Sequence, residues 1–186
     1  MNSVLQRSVR SQRSGANESA LFLHISTTRL IVLSLLTSHL YEAYWLYKNW
    51  QYIKKRDGLN IWPFWRGVFG IFFCHSLLQR IYDDEDARAV ETPAFSPSGL
   101  ATGWVVMVII GNLVSRAPGP MPTLISGVFP SFLCLLPVQK YINSVSERRG
   151  DPYHRWSVGH IVCLVLGLIA WLGILMALAV EPNALR

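Results

Sequence analysis

His39 and Glu42 stand three residues apart in HLYEAYWLYKNWQY, inside a stretch that otherwise has the composition of a membrane-spanning helix. On a helix that spacing puts both side chains on nearly the same face, one turn apart. A carboxylate in the hydrocarbon layer costs about 2.5 to 3.5 kcal/mol unless it is paired, hydrated or protonated, so Glu42 has to face protein or water. If the next apolar block folds back as an antiparallel hairpin around Gly58, His75 arrives at the depth of His39. The candidate site is therefore a buried polar cluster of His39, Glu42 and His75. Two uses are open to it: relaying protons, binding a metal or anchoring a polar substrate, or simply locking two helices together by mutual hydrogen bonding.

The pattern does not amount to a metal signature. Di-iron bundles take E-x-x-H motifs from two helices together with further carboxylates, and no second copy occurs here. The three cysteines, Cys74, Cys134 and Cys163, lie in apolar blocks without C-x-x-C spacing, so neither a zinc site nor a disulfide framework is signalled. No G-x-S-x-G elbow, Walker sequence, H-E-x-x-H helix, dinucleotide fingerprint or C-x-x-C-H haem motif occurs. The reading accordingly leans away from an enzyme and includes no metal and no cofactor.

The elements that position this site follow from composition. Apolar residues make up 51% of the 186-residue chain and charged residues 15%, against a usual charged share of about a quarter. Such an excess needs a solvent other than water, and the apolar residues gather in blocks near the length of about 17 to 25 residues that crosses a bilayer. The fold class read from this is all-α, an integral membrane bundle of about five hydrophobic helices near 28–50, 61–80, 100–114, 124–141 and 158–180. The second carries Arg66, His75, Gln79 and Arg80, which leaves a full crossing, a re-entrant segment or an in-plane helix open to it. Pro130 and Pro137 predict a kink or break in the fourth. Residues 1–20 read as a disordered basic tail, 21–182 as one transmembrane domain and 183–186 as a short tail.

The net charge of +6 sits beside apolar blocks rather than on a soluble surface, where basic residues set topology and meet anionic lipid, not nucleic acid. Lys54, Lys55 and Arg56, with Arg148, Arg149 and Arg155, are the candidate headgroup contacts. If all five blocks cross, these two basic loops fall on opposite faces; if the second block does not cross, they fall on one. The arginines of the N-terminal tail favour the first arrangement. Tyr41, Tyr44, Trp45, Tyr47, Trp50 and Tyr52, ahead of Lys54, read as an interfacial aromatic belt. In the last block Gly159, Cys163 and Gly167 recur every fourth residue and predict a close helix-packing face.

The run Tyr41, Tyr44, Trp45, Tyr47, Lys48, Asn49 and Trp50, followed by Pro63, Phe64, Trp65 and Arg66, resembles a pattern of bacterial multi-pass membrane proteins of unknown function. The resemblance covers about a fifth of the chain. It implies a bacterial inner-membrane location and no particular activity. The expected function is interaction: an accessory or scaffold component of an inner-membrane assembly, in contact with lipids, with other subunits or with itself. The alternative is a small transporter or channel with a buried His/Glu proton-coupling site, and a membrane-embedded enzyme is the third reading.

Overall fold

The computed structural model describes residues 20–184, and every regular element among them is a helix. A buried extended strap, residues 20–26, precedes α1 (Thr27–Leu36) and α2 (Leu40–Asp57). Next come α3 (Pro63–Val68), α4 (Gly70–Tyr82) and the single turn α5 (Glu85–Arg88). The chain continues through α6 (Pro97–Val114), α7 (Pro120–Gly127), a 3-10 turn (Ser131–Cys134), α8 (Leu136–Arg149) and α9 (Val158–Ala184).

The first expected span is thus two helices, not one. Ser38 and His39 both adopt positive φ, at 45° and 71°, a conformation that side chains bearing a Cβ rarely occupy and that reverses the chain. Thr37 bridges the reversal, donating from Oγ1 to Leu33 O at 2.7 Å and accepting from the backbone N–H of Tyr41 at 2.9 Å. Gly58, at φ 63°, then terminates α2, as glycine does where a helix ends in the left-handed region. So α1 runs inward and α2 runs back out. Arg29, near the start of α1, donates to His154 O at 2.9 Å, and Tyr52, in the last turns of α2, is hydrogen-bonded to Nδ1 of the same histidine.

The second block makes another such excursion. α3 descends along α2, so closely that a Cβ on Gly67 would stand 2.7 Å from Tyr47 Cβ and 2.8 Å from Ala43 O. The chain reverses at Phe69, and α4 returns to the end it left: Arg80 faces Asp57 at 3.7 Å and Asp84 meets Arg56 at 2.6 Å. Of the three arrangements open to this block, the structure has it fold back on itself. Arg66, the charge that made it look wet, lies 4.4 Å over the Trp50 ring and 5.0 Å from that of Phe73, where its charge meets two aromatic faces.

Two helices, α6 and α9, are long and apolar enough to cross a membrane, and the segment from α7 through α8, bent by 47°, makes a third if taken as one span. The bend falls at Leu135, between the 3-10 turn that Pro130 precedes and α8, which carries Pro137 in its first turn, where its missing N–H costs nothing. Around these helices the outer surface is apolar: Phe72, Leu168 and Met176 are 76%, 60% and 69% exposed. The interior belongs to α2, whose Tyr41, Glu42, Trp45, Leu46, Asn49 and Trp50 are all essentially inaccessible. Tyr41, Tyr44, Trp45 and Trp50 are therefore core residues, not the interfacial belt that their spacing before the lysines suggested. α9 packs on this core through its small residues. Gly159 lies against Tyr44, Cys163 borders the core, and Gly167 approaches so closely that a Cβ there would stand 2.5 Å from Thr37 Cα.

The strap shows how non-helical backbone is accommodated inside. Asn49 Oδ1 accepts from Leu23 N at 3.1 Å, and Gln139 Nε2 donates to the carbonyls of Leu23 and Ile25, each at 3.1 Å. Trp45 donates to Gln139 Oε1 at 2.6 Å, which fixes the amide. Buried peptide groups require such partners. Residues 1–19, most of the expected basic tail, and 185–186 lie outside the described residues.

Candidate functional site

Glu42 sits three residues beyond the α1–α2 reversal, and its carboxylate is enclosed. His39 Nδ1 lies 2.8 Å from Oε1, Trp104 Nε1 donates to Oε2 at 2.5 Å, and Ser131 Oγ reaches both oxygens at 2.8 and 2.9 Å. These partners come from three places: the reversal itself, the eighth residue of α6 and the 3-10 turn after Pro130. Trp104 lies about 10 Å along α6 from its start, so the carboxylate is level with the interior of a helix able to cross.

An indole N–H can only donate, and the hydroxyl has one hydrogen to share among its acceptors. On the far side of the imidazole, Nε2 is 3.2 Å from the carbonyl of Ser126, and Nδ1 is 3.2 Å from Ser131 Oγ as well as 2.8 Å from Glu42 Oε1. The carboxyl group and the imidazole are thus held in one shared set of hydrogen-bond partners, which is how ionisable groups are tolerated in an interior of low dielectric.

His39 is also the exit from this enclosure. Glu42 is 1% exposed, whereas the His39 side chain is 21% exposed and lines a cavity of about 340 Å³. Ser131 lines it too, as do Asn112, Thr123 and Ser126. Ser38, another lining residue, has a buried Oγ with no hydrogen-bond partner among the described residues. The cavity lies between the second half of α6, the middle of α9 and the C-terminal part of α7, away from the end where the basic loops gather. Its volume is within the range of small-molecule sites.

His75 is not part of this cluster. α4 returns beside α2, but it turns Cys74 inward and leaves His75 exposed, hydrogen-bonded to Thr102 Oγ1 at 3.0 Å. One residue of helical phase, about 100°, separates the two outcomes. Its expected place is taken by Trp104 and Ser131. A lone indole in mid-span was the available signal for Trp104, since tryptophans at a bilayer otherwise sit at the ends of helices. Among the described residues no group of three or more His, Cys, Asp or Glu side chains is placed to hold a metal ion.

A second polar network, unforeseen from sequence, lies on another face of α2. Tyr41 OH is 3.3 Å from His160 Nε2; His160 Nδ1 is 3.0 Å from Ser157 Oγ, which is 2.8 Å from Tyr44 OH. Tyr52 OH meets His154 Nδ1 at 3.1 Å. These histidines are structural: His160 is fully buried, and burial, then the charges of Lys48 and Arg29, hold the His154 imidazole below its ordinary pKa.

The basic residues divide. Arg56 is paired with Asp57 at 2.7 Å and with Asp84 at 2.6 Å, Arg148 with Glu91 at 3.0 Å, and Arg149 faces Asp151 at 3.5 Å. Those three are committed to protein carboxylates, not free for headgroups. Lys54, Lys55 and Arg155 are exposed and have no ion pair among the described residues. Comparison of the chain with protein-family models, with curated proteins and with solved structures finds no match.

Proposed function

We propose that this protein is a small membrane transporter or channel component in which the His39–Glu42 pair is the proton-coupling element. The observation that carries the reading is the connection between Glu42 and the cavity: a carboxylate with 1% exposure bonded to a histidine that itself borders 340 Å³ of space. A proton or small polar solute entering the cavity meets His39 first. A change at the imidazole alters the charge of a carboxylate that Trp104 and Ser131 hold in place. Chain reversals inside the bundle and a broken helix beside the cavity are how membrane carriers present polar groups at depth.

In this reading residues 20–184 form one bundle embedded in a cell membrane, the bacterial inner membrane that the sequence resemblance implies. The strap, the open ends of both hairpins, the acidic loop and the turn before α9 gather at one end. Lys54, Lys55, Arg56, Arg80, Arg148 and Arg155 lie there, and Arg116 lies at the other. The positive-inside rule makes the basic end cytoplasmic. The two basic loops share a face because both hairpins fold back, and Arg29 lies at the same end. The cavity then faces outward.

Reconstitution into vesicles holding a pH-sensitive dye tests the reading. Wild-type protein is expected to dissipate an imposed pH gradient, and Glu42→Gln and His39→Gln to behave as empty vesicles. Wild-type vesicles indistinguishable from empty ones, across solutes offered on the cavity side, would sink the proposal. One observation favours the accessory or scaffold reading as a second: a groove of about 540 Å³ on the outer surface is lined by Leu35, Leu36, Val128, Leu164, Leu168 and Trp171 and presents almost nothing polar.

A further inference from the structure

We infer that the C-terminal turn of α2 and the start of α3 form a binding site for the headgroup of an anionic phospholipid, with one acyl chain lying along the outer face of α3 and α4. The basic end of the molecule is crowded with charge, but most of it is spent internally: Asp57 and Asp84 on Arg56, with Asp57 also facing Arg80, and Glu91 on Arg148. Lys54 and Lys55 are left beside a cavity, and Arg155 away from it. Both lysines are exposed, and neither has a carboxylate partner among the described residues.

They stand over a cavity of about 740 Å³ whose lining includes Tyr47, Gln51, Trp62 and Phe64. Its upper edge is therefore two ammonium groups with an amide, and its sides are aromatic. That order of chemistry matches phosphate above and glycerol and acyl ester below. The apolar surface then continues in one direction. From the cavity α3 descends about 9 Å to Phe69, with Trp65 and Phe69 stacked at 5.8 Å between ring centroids, and Phe72 follows at 76% exposure. Trp62, 73% exposed, stands at the level where an indole bridges headgroup and hydrocarbon.

Charge sets the class of lipid. Each lysine held near an anionic surface contributes about a fivefold preference, and a zwitterionic headgroup, with its own ammonium, gains far less. The site therefore discriminates phosphatidylglycerol from phosphatidylcholine, and it takes a lipid rather than a free anion because the ring-lined part of the cavity has nothing to offer phosphate.

Native mass spectrometry of the full chain, equilibrated in detergent with equal amounts of phosphatidylglycerol and phosphatidylcholine, tests this. The wild type is expected to retain phosphatidylglycerol with a preference of about tenfold or more. Lys54→Gln/Lys55→Gln should bring the two lipids near parity, and Trp62→Ala should weaken retention of both. Arg155→Gln, at the same end but outside the cavity, should keep the wild-type preference. Both lysines are exposed, so the helical circular-dichroism spectrum should not change. Parity in the wild type, an unchanged preference in the double variant, or an equal loss in Arg155→Gln would overturn the proposal. Displacement of the bound lipid by inorganic phosphate would overturn it in favour of a free-anion site. Retention of neither lipid would overturn the membrane reading along with it, whereas failure of the proton assay alone would leave the lipid site standing.

Discussion

α2 and α9 are opposites. α9 is almost wholly aliphatic over its crossing segment, yet most of that surface is exposed, with Ile161, Leu168 and Leu172 at the outside. α2 carries Glu42, Lys48 and Asn49 and three basic residues in its last turn, yet it is the most enclosed element of the bundle. The difference teaches that hydropathy in such a chain marks the exposed surface, not the core. The core can be polar where its groups are partnered, as Glu42, Asn49 and Gln139 are; an apolar solvent offers no such partners.

Substitutions that break this contrast should rank accordingly. Glu42→Ala strands His39, Trp104 and Ser131 at once and should cost about 3 to 5 kcal/mol, as removal of one member of a buried pair does; chemical denaturation in mixed micelles measures it. A result near zero would mean the enclosure contributes no stability. Gly167→Val is the corresponding change on the inner face of α9. Its side chain meets backbone at Thr37 and Leu36, which cannot move aside cheaply, and a loss of about 1 to 3 kcal/mol is expected.

Acidification should come next in effect. The His154 imidazole is held below its ordinary value of 6.5 by burial and then by Lys48 and Arg29, and its Nε2 has no hydrogen-bond partner among the described residues. The folded state therefore binds this proton less readily than the unfolded chain. The contribution is fully present above the unfolded value and is lost as pH falls through the lower folded one, so stability should decline from about pH 7 toward pH 5. His154→Gln should flatten that part of the profile. The smallest effect belongs to the outer face: Leu168→Ala, on a side chain 60% exposed, should stay within about 0.5 kcal/mol.

What sequence could supply follows the same division. His39 and Glu42 were legible because a carboxylate beside a histidine in an apolar run is costly unless it is enclosed, and the spacing of three is local. Trp104 and Ser131 were not: they lie 62 and 89 residues away along the chain, and no local rule ties them to Glu42. His75 failed by one step of helical phase. The first span was drawn straight through Thr37, Ser38 and His39 because these residues carry none of the glycine or proline that usually announces a reversal, and the hydroxyl of Thr37 supports it instead. The strap escaped notice because five residues, Leu21 to Ile25, are too few to show a period. Its burial depends on Asn49 and Gln139 from distant helices. The tyrosines before Lys54 were misplaced for a related reason: their order along the chain is that of an interfacial belt, but α2 is surrounded.

The claim on which the rest depends is that water reaches the His39–Glu42 pair through the cavity beside α7. Thiol accessibility in nanodiscs, where both faces are open, tests it directly. In a background with Cys74, Cys134 and Cys163 replaced by alanine, Ser126→Cys stands beside His39 in the cavity lining and Leu168→Cys stands on the exposed apolar face of α9. The structure predicts that a charged, membrane-impermeant thiol reagent modifies the first and leaves the second unmodified. A cysteine at position 126 as inert as the one at position 168 would contradict it.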